Sequence, residues 1–205
     1  MNKLYSLIFN KLIHINKCRN TLNFRTRKLL VDHCALSHLN YCREIWGFLS
    51  AEQRLLLHKL LSFGAKIVFL KSKFDHSSHL IDSLKFLSPE KASTYFLCCT
   101  AFKCINNLHN INIPKIFNIN YSQSCTRNTI IIPRPRTNYF YHTIIYRSSK
   151  MWIQLPDDVK TIKTFSKFKK DLKMKLLANC LWIIMQWWLS SLSQVFCIIL
   201  FKIQF

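Results

Sequence analysis

Two glycines, Gly47 and Gly64, are all that this chain carries in 205 residues. Tight turns and hairpin loops draw on glycine for backbone with positive φ. A chain with almost none is poorly equipped for a turn-rich all-β fold, so a mainly α architecture is expected. The same scarcity removes whole classes of chemistry. No Gly-x-Ser-x-Gly elbow, P-loop or Gly-x-Gly-x-x-Gly fingerprint can be written with two distant glycines. Half of the residues are apolar and 14% are aromatic, which is enough to bury a core. The length suits one domain, or one domain and an appendage.

The formal charge is +21, from 30 basic and 9 acidic residues. Self-repulsion of that size works against a compact monomer unless a polyanion compensates. RNA, DNA or an anionic membrane surface are the candidates. Aromatic residues mixed with the basic ones favour nucleic acid, because bases stack on rings. AT-rich codon usage, which inflates Lys, Asn, Ile and Phe, is the alternative source of part of this excess. Nine cysteines, at 18, 34, 42, 98, 99, 104, 125, 180 and 197, form no Cys-x-x-Cys pair and no regular framework. They read as reduced, buried thiols of an intracellular protein in nucleus or cytoplasm. The N-terminus lacks a secretory pattern, since Lys11 interrupts its apolar run and no small-residue cleavage site follows.

Three segments are expected: a basic N-terminal helical segment at 1–26, a helical region at 27–177 and a hydrophobic tail at 178–205. In the first, Leu4, Ile8, Leu12 and Ile13 suggest a helix. Residues 27–46 read as one helix closed by Gly47. Ser50 followed by Gln53 is a capping box, opening a helix rich in leucine. A short helix is expected over 78–86. Ser88-Pro89-Glu90 then combines a cap, a first-turn proline and a first-turn acid, and its helix runs to about Asn106. Thr129–Ile132 and Tyr139–Tyr146 are β-branched and aromatic, so a short β-hairpin is expected near 129–146, limited to an edge by Pro133 and Pro135. Ile162, Phe165, Phe168, Leu172 and Leu176 line one face of a basic amphipathic helix. Residues 176–201 carry no formal charge and are long enough to span a bilayer as a C-terminal helix, with the basic residues before them on the cytoplasmic side. The alternatives for this tail are a helix pair docked on the core and out-of-frame sequence.

Three blocks occur in order: LSHLNYCREIWG at 36–47, HLIDSLKFLSPEKASTYFLCCTAFKCINN at 79–107 followed by INIPKIF at 111–117, and 130–177 with its MWIQLPDDVK and FSKFKKDLKMKLL. This series resembles the region after the polymerase domain in reverse transcriptases of non-LTR (LINE-type, jockey/CR1-like) retrotransposons. The matching positions are Ser37, His38, Tyr41, Cys42, Trp46 and Gly47, then Trp152, Leu155 and Pro156, then Phe168, Lys169, Leu172 and Lys173. The chain departs from the pattern at Ile153, where the family usually has Asn, and at Lys91, where Arg is frequent. The tail after 177 has no counterpart in it. The resemblance implies a thumb-like or linker region that holds template RNA or target DNA beside an RNA-directed DNA polymerase. The missing polymerase portion of the same element is then a further partner.

Polymerisation needs clustered carboxylates to hold two metal ions. Among the six aspartates only Asp157 and Asp158 are adjacent. They follow Leu155-Pro156 at a helix start, where acids suit the helix dipole. No catalytic residue, metal site or cofactor is therefore expected, and the chain reads as part of an element or as a gene model covering its 3′ end. His33, Cys34, His38 and Cys42 could suggest zinc, but one helix rarely supplies tetrahedral geometry. His76 and His79 beside Asp75 read as a loop pair.

The candidate nucleic-acid contacts are Arg134, Arg136, Arg147, Lys150, Lys163, Lys167 and Lys170, with Tyr139, Tyr141 and Trp152 able to stack. Tyr41, Trp46, Trp152, Leu155, Pro156 and Phe168 are the expected structural anchors, so Trp152 has two readings, of which the core is favoured. Three functions follow: a nucleic-acid-binding remnant of a reverse transcriptase without activity of its own, a small membrane-anchored protein with a basic cytoplasmic region, or a translated relic without function.

Overall fold

A computed structural model describes residues 2–47, 49–106, 108 and 137–178. The chain divides into two compact units at the Leu155–Pro156 junction. The described residues are mainly helical and contain no strand.

In the first unit, helix α1 spans Asn2–Lys17 and buries Ile8, Leu12 and Ile15. The basic N-terminal segment thus contributes to the same apolar cluster as the leucine-rich helix α5, Ala51–Val68. Between them lies a stretch that departs from the single helix expected over 27–46. Helix α2 (Phe24–Leu30) starts one turn earlier, because Asn23 Oδ1 accepts the Thr26 amide at 2.8 Å. The helix then widens to a π-helical segment, Val31–Leu36, continues as α3 (Ser37–Asn40) and breaks at Cys42, whose φ is 48°. A separate turn, α4, covers Arg43–Trp46.

The break is stabilised by side chains that take over stranded carbonyls. Trp46 Nε1 donates to the Tyr41 carbonyl at 2.7 Å, and Arg43 Nη1 donates to that of Leu39 at 3.1 Å. Gly47 ends α4 with φ −68°, so left-handed backbone is not its role. A Cβ there would lie 2.4 Å from the Arg43 carbonyl oxygen and 2.9 Å from Ser93 Oγ. Glycine is required by close approach.

Helix α5 opens on the expected capping box: Gln53 N donates to Ser50 Oγ, and Ser50 N to Gln53 Oε1. Its buried face holds Leu57, Leu60, Leu61, Ala65, Ile67 and Val68, whereas Leu55 is exposed. Helix α6 (Ser78–Ser83) adds Leu80 and Ile81 to the core, with Leu84 just beyond it. Helix α7, Pro89–Ile105, starts at the Ser88 cap and buries Leu97, Cys98, Ala101 and Phe102.

The hairpin expectation is corrected on its second arm. Residues 138–146 hold a helical turn, α8 (Asn138–Tyr141), and the start of helix α9 (Ile144–Ile153). Thr143 caps α9 by accepting the Tyr146 amide at 3.3 Å, and Ser148 Oγ donates back to the Ile144 carbonyl at 2.6 Å. The aromatic residues that suggested a strand instead pack edge to face, Tyr146 against Phe140 and Tyr141. The other arm, 129–132, lies outside the described residues, as does the proposed C-terminal helix from 179 onward. Among the described residues no helix is long and apolar enough to cross a membrane.

The second unit begins at Pro156. A single turn, α10, covers Asp157–Lys160, and α11 covers Phe165–Leu177. Val159, Phe168, Leu172 and Leu176 are buried. Phe168, Leu172 and Leu176, four apart on α11, form the buried part of the predicted stripe; Phe165 is half-buried, and Ile162 precedes the helix because α11 starts only at Phe165.

Candidate nucleic-acid interface

Helix α11 presents its lysines by simple geometry. At ~100° per residue, Phe168, Leu172 and Leu176 define one side, and Lys167, Lys170 and Lys173 fall on the other. All three of these lysines are exposed, as is Lys163 just before the helix. Along the axis Lys167, Lys170 and Lys173 rise by roughly 4.5 Å per step, so their ammonium groups form one row of positive charge. Lys169 is also exposed and lies over the Phe165 ring at 5.0 Å. Lys175 is engaged inside the unit, by Asp158.

That ion pair defines the role of the adjacent acids. Asp158 accepts from Lys175 and from the Val159 amide, and Lys175 holds its carboxyl below the usual carboxylate range. Asp157 meets Lys160 at 3.3 Å. Both stand in the first turn of α10, where the helix dipole favours negative charge. Among the described residues no three His, Cys, Asp or Glu side chains converge as a metal site would need.

The remaining candidates are scattered. Arg147 and Lys150 sit half-buried on α9, in the first unit, and burial lowers the Arg147 pKa. Arg134 and Arg136 lie outside the described residues. Tyr139 is 88% exposed and Tyr141 41%, so both rings are open to solvent. Trp152 is 4% exposed and its ring centroid is 6.3 Å from that of Phe102. It is a core side chain and offers no face for a base.

Of the other expected anchors, Leu155 and Phe168 are buried, while Trp46 and Pro156 are half-buried. Tyr41 is different. Its ring is 76% exposed, and what it contributes is the backbone carbonyl that receives Trp46 Nε1. The thiols also need correction. Cys98, Cys99 and Cys104 are buried, but Cys18 and Cys34 are exposed and Cys42 is partly so. Cys34, His38 and Cys42 do not share a regular helix face, because the π-helical segment and the Cys42 turn intervene. His38 Nε2 instead accepts from Lys11 Nζ at 2.6 Å. His76 and His79 are both exposed.

Two residues with clear structural roles escaped the sequence reading. Arg27 is buried and donates from Nε to the Val68 carbonyl at 2.9 Å, and from Nη1 to those of Arg19 and Leu22. Arg43 is 2% exposed, donates from Nη2 to the Pro89 carbonyl at 2.9 Å, and stacks on Trp46 with 5.1 Å to the centroid. Burial pulls its pKa down to about 10, against the opposing pull of Glu90. Both guanidiniums donate to backbone carbonyls of segments far apart in the chain, a use of arginine that sequence spacing does not announce.

Comparison with protein-family models, with curated proteins and with solved structures gives no match for this chain.

Proposed function

We propose that the chain is a catalytically incomplete region of a non-LTR retrotransposon RNA-directed DNA polymerase that holds RNA or DNA on a basic surface. The observation that carries the reading is the α11 face bearing Lys167, Lys170 and Lys173, opposite the buried Phe168, Leu172 and Leu176. The overall charge of +21 supports it, since a polyanion relieves the self-repulsion. The ordered blocks around Trp46-Gly47, Trp152 and Phe168 supply the likeness to the polymerase family. In this reading catalysis belongs to the polymerase portion of the element, which supplies the metal-binding acids. Asp157 and Asp158, occupied with Lys160 and Lys175, serve α10.

The test is a salt titration of binding to a labelled single-stranded oligonucleotide. Affinity should fall steeply as salt rises, because neutralised phosphates release counterions. Replacing Lys167, Lys170 and Lys173 by glutamine should reduce the log–log slope by about 2, at ~0.7 per lost phosphate contact on a single strand. Undetectable binding at low salt would overturn the reading, and a slope unchanged by the triple substitution would remove α11 as its site.

A further inference from the structure

At one end of the first unit the fold collects cations that lie far apart in sequence. The exit of α1, the entry of α2 and the exit of α5 meet there. Arg27 joins them by bonding to the carbonyls of Arg19, Leu22 and Val68. Arg19 Nη1 reaches the Lys71 carbonyl at 3.3 Å, and Lys66 Nζ that of Lys73 at 2.7 Å. Phe24 meets Phe69 edge to face at 5.4 Å between centroids. The segments 17–28 and 66–76 carry eight Lys or Arg residues against one acid, Asp75. Of the eight only Arg27 is buried. Asp75 accepts the Ser72 amide at 2.7 Å and shapes its own loop.

Helix dipoles explain part of this gathering. The C-terminal ends of α1 and α5 both favour cations. They do not explain Arg25, which is exposed in the first turn of α2, where no acid is present and the dipole disfavours positive charge. Nor do they explain the aromatic side chains. Phe24 is 46% exposed, and Phe74, between Lys73 and Asp75, is 90% exposed. An outward phenyl ring gains nothing from water, but it offers a platform to an unstacked base.

We propose that this end of the unit is a second polyanion site, which takes single-stranded nucleic acid by backbone contact with Arg19, Arg25, Lys71 and Lys73 and by base stacking on Phe24 and Phe74. Cations interleaved with open rings are the arrangement that binds single strands without reading sequence. The inference rests on the nucleic-acid reading above, yet it uses none of the lysines of α11.

The experiment uses the full chain and a fluorescein-labelled oligouridylate, with affinity measured from low to moderate salt. Arg25→Gln/Lys71→Gln/Lys73→Gln should lower affinity and reduce the salt slope by about 2. Phe74→Ala should weaken binding about tenfold while leaving the slope alone, since stacking releases no counterion. Its exposure makes a folding defect an unsuitable explanation for that result. If both variants bind as the parent does while the Lys167/Lys170/Lys173 variant is weakened, the second site is refuted and α11 stands. If the α11 variant binds normally while these two are weakened, the second site is upheld and α11 falls. Vesicles of phosphatidylserine and phosphatidylcholine form the other arm: loss of vesicle binding by Phe74→Ala, with oligouridylate binding intact, would overturn the site as a nucleic-acid surface.

Discussion

Arg43 Nη2 and the Pro89 carbonyl, 46 residues apart in the chain, are joined at 2.9 Å. The bond ties the Trp46-Gly47 turn to the first residue of α7. The same guanidinium serves Leu39 and lies over the Trp46 ring, so one side chain holds three pieces of backbone together. Arg43→Met should keep much of the volume but take a donor from two buried carbonyls, of which that of Pro89 keeps Ser93 Oγ, at roughly 2–4 kcal/mol. Arg43→Lys should rescue little, because one ammonium cannot reproduce a planar fork. Urea denaturation followed by circular dichroism checks both. A lysine variant as stable as the parent would show that the charge alone matters.

Gly47→Ala tests the close approach beside that bond. The backbone φ there is open to any residue, so the cost is purely steric. The added methyl meets the Arg43 carbonyl oxygen, which is backbone and cannot swing aside. A loss of about 1–3 kcal/mol is expected. Ser93→Ala combined with Gly47→Ala should recover only the smaller share, because the 2.4 Å contact is with Arg43 and not with Ser93. Full recovery in the double variant would assign the clash to the wrong neighbour.

Two aromatic residues of the α8–α9 region, Trp152 and Tyr139, should behave oppositely. Trp152→Ala removes a buried ring that faces Phe102 and should cost roughly 3–5 kcal/mol. Tyr139→Ala, at a ring 88% exposed, should stay within about 0.5 kcal/mol of the parent. Denaturation midpoints measured by circular dichroism decide this. Comparable losses at both positions would contradict the burial assigned to them.

What could be read in advance was local. Ser50 with Gln53, and Ser88 with Pro89, act within a single helical turn, so their residue types alone locate the helix starts. The alternation of Phe168, Leu172 and Leu176 with lysines is equally self-contained. What could not be read depends on distant partners. The interruption at Cys42 is favoured because Arg43 finds Pro89 and Ser93 across the fold. The strand expected at Tyr139–Tyr146 rests on a propensity that packing overrides, and the helix there starts at the Thr143 cap, a residue type that suits a strand equally well. The cationic end of the first unit was invisible for the same reason. Arg19 and Lys71 are separated by 52 residues, and only the bonds of Arg27 show that their segments converge.

Alkaline pH should destabilise the first unit through α7. Burial pushes the Cys104 thiol up to about 11, with Lys103 opposing, from an ordinary value of 9.0. Burial and the neighbouring Cys99 push Cys98 up as well. Between pH 9 and 11 the unfolded chain therefore releases protons that the folded chain retains. Stability is full below the unfolded value and falls as pH rises through that window, by up to about 1.4 kcal/mol per pH unit for each thiol. Arg43, held near 10, has the opposite sign above that pH, so the comparison is best made between pH 7 and pH 10. The urea midpoint of the parent should drop across this range. Cys98→Ala/Cys104→Ala should start lower, because two buried sulfurs are lost, but should decline less on going to pH 10. Equal declines in parent and double variant would mean that these thiols do not govern the alkaline limb.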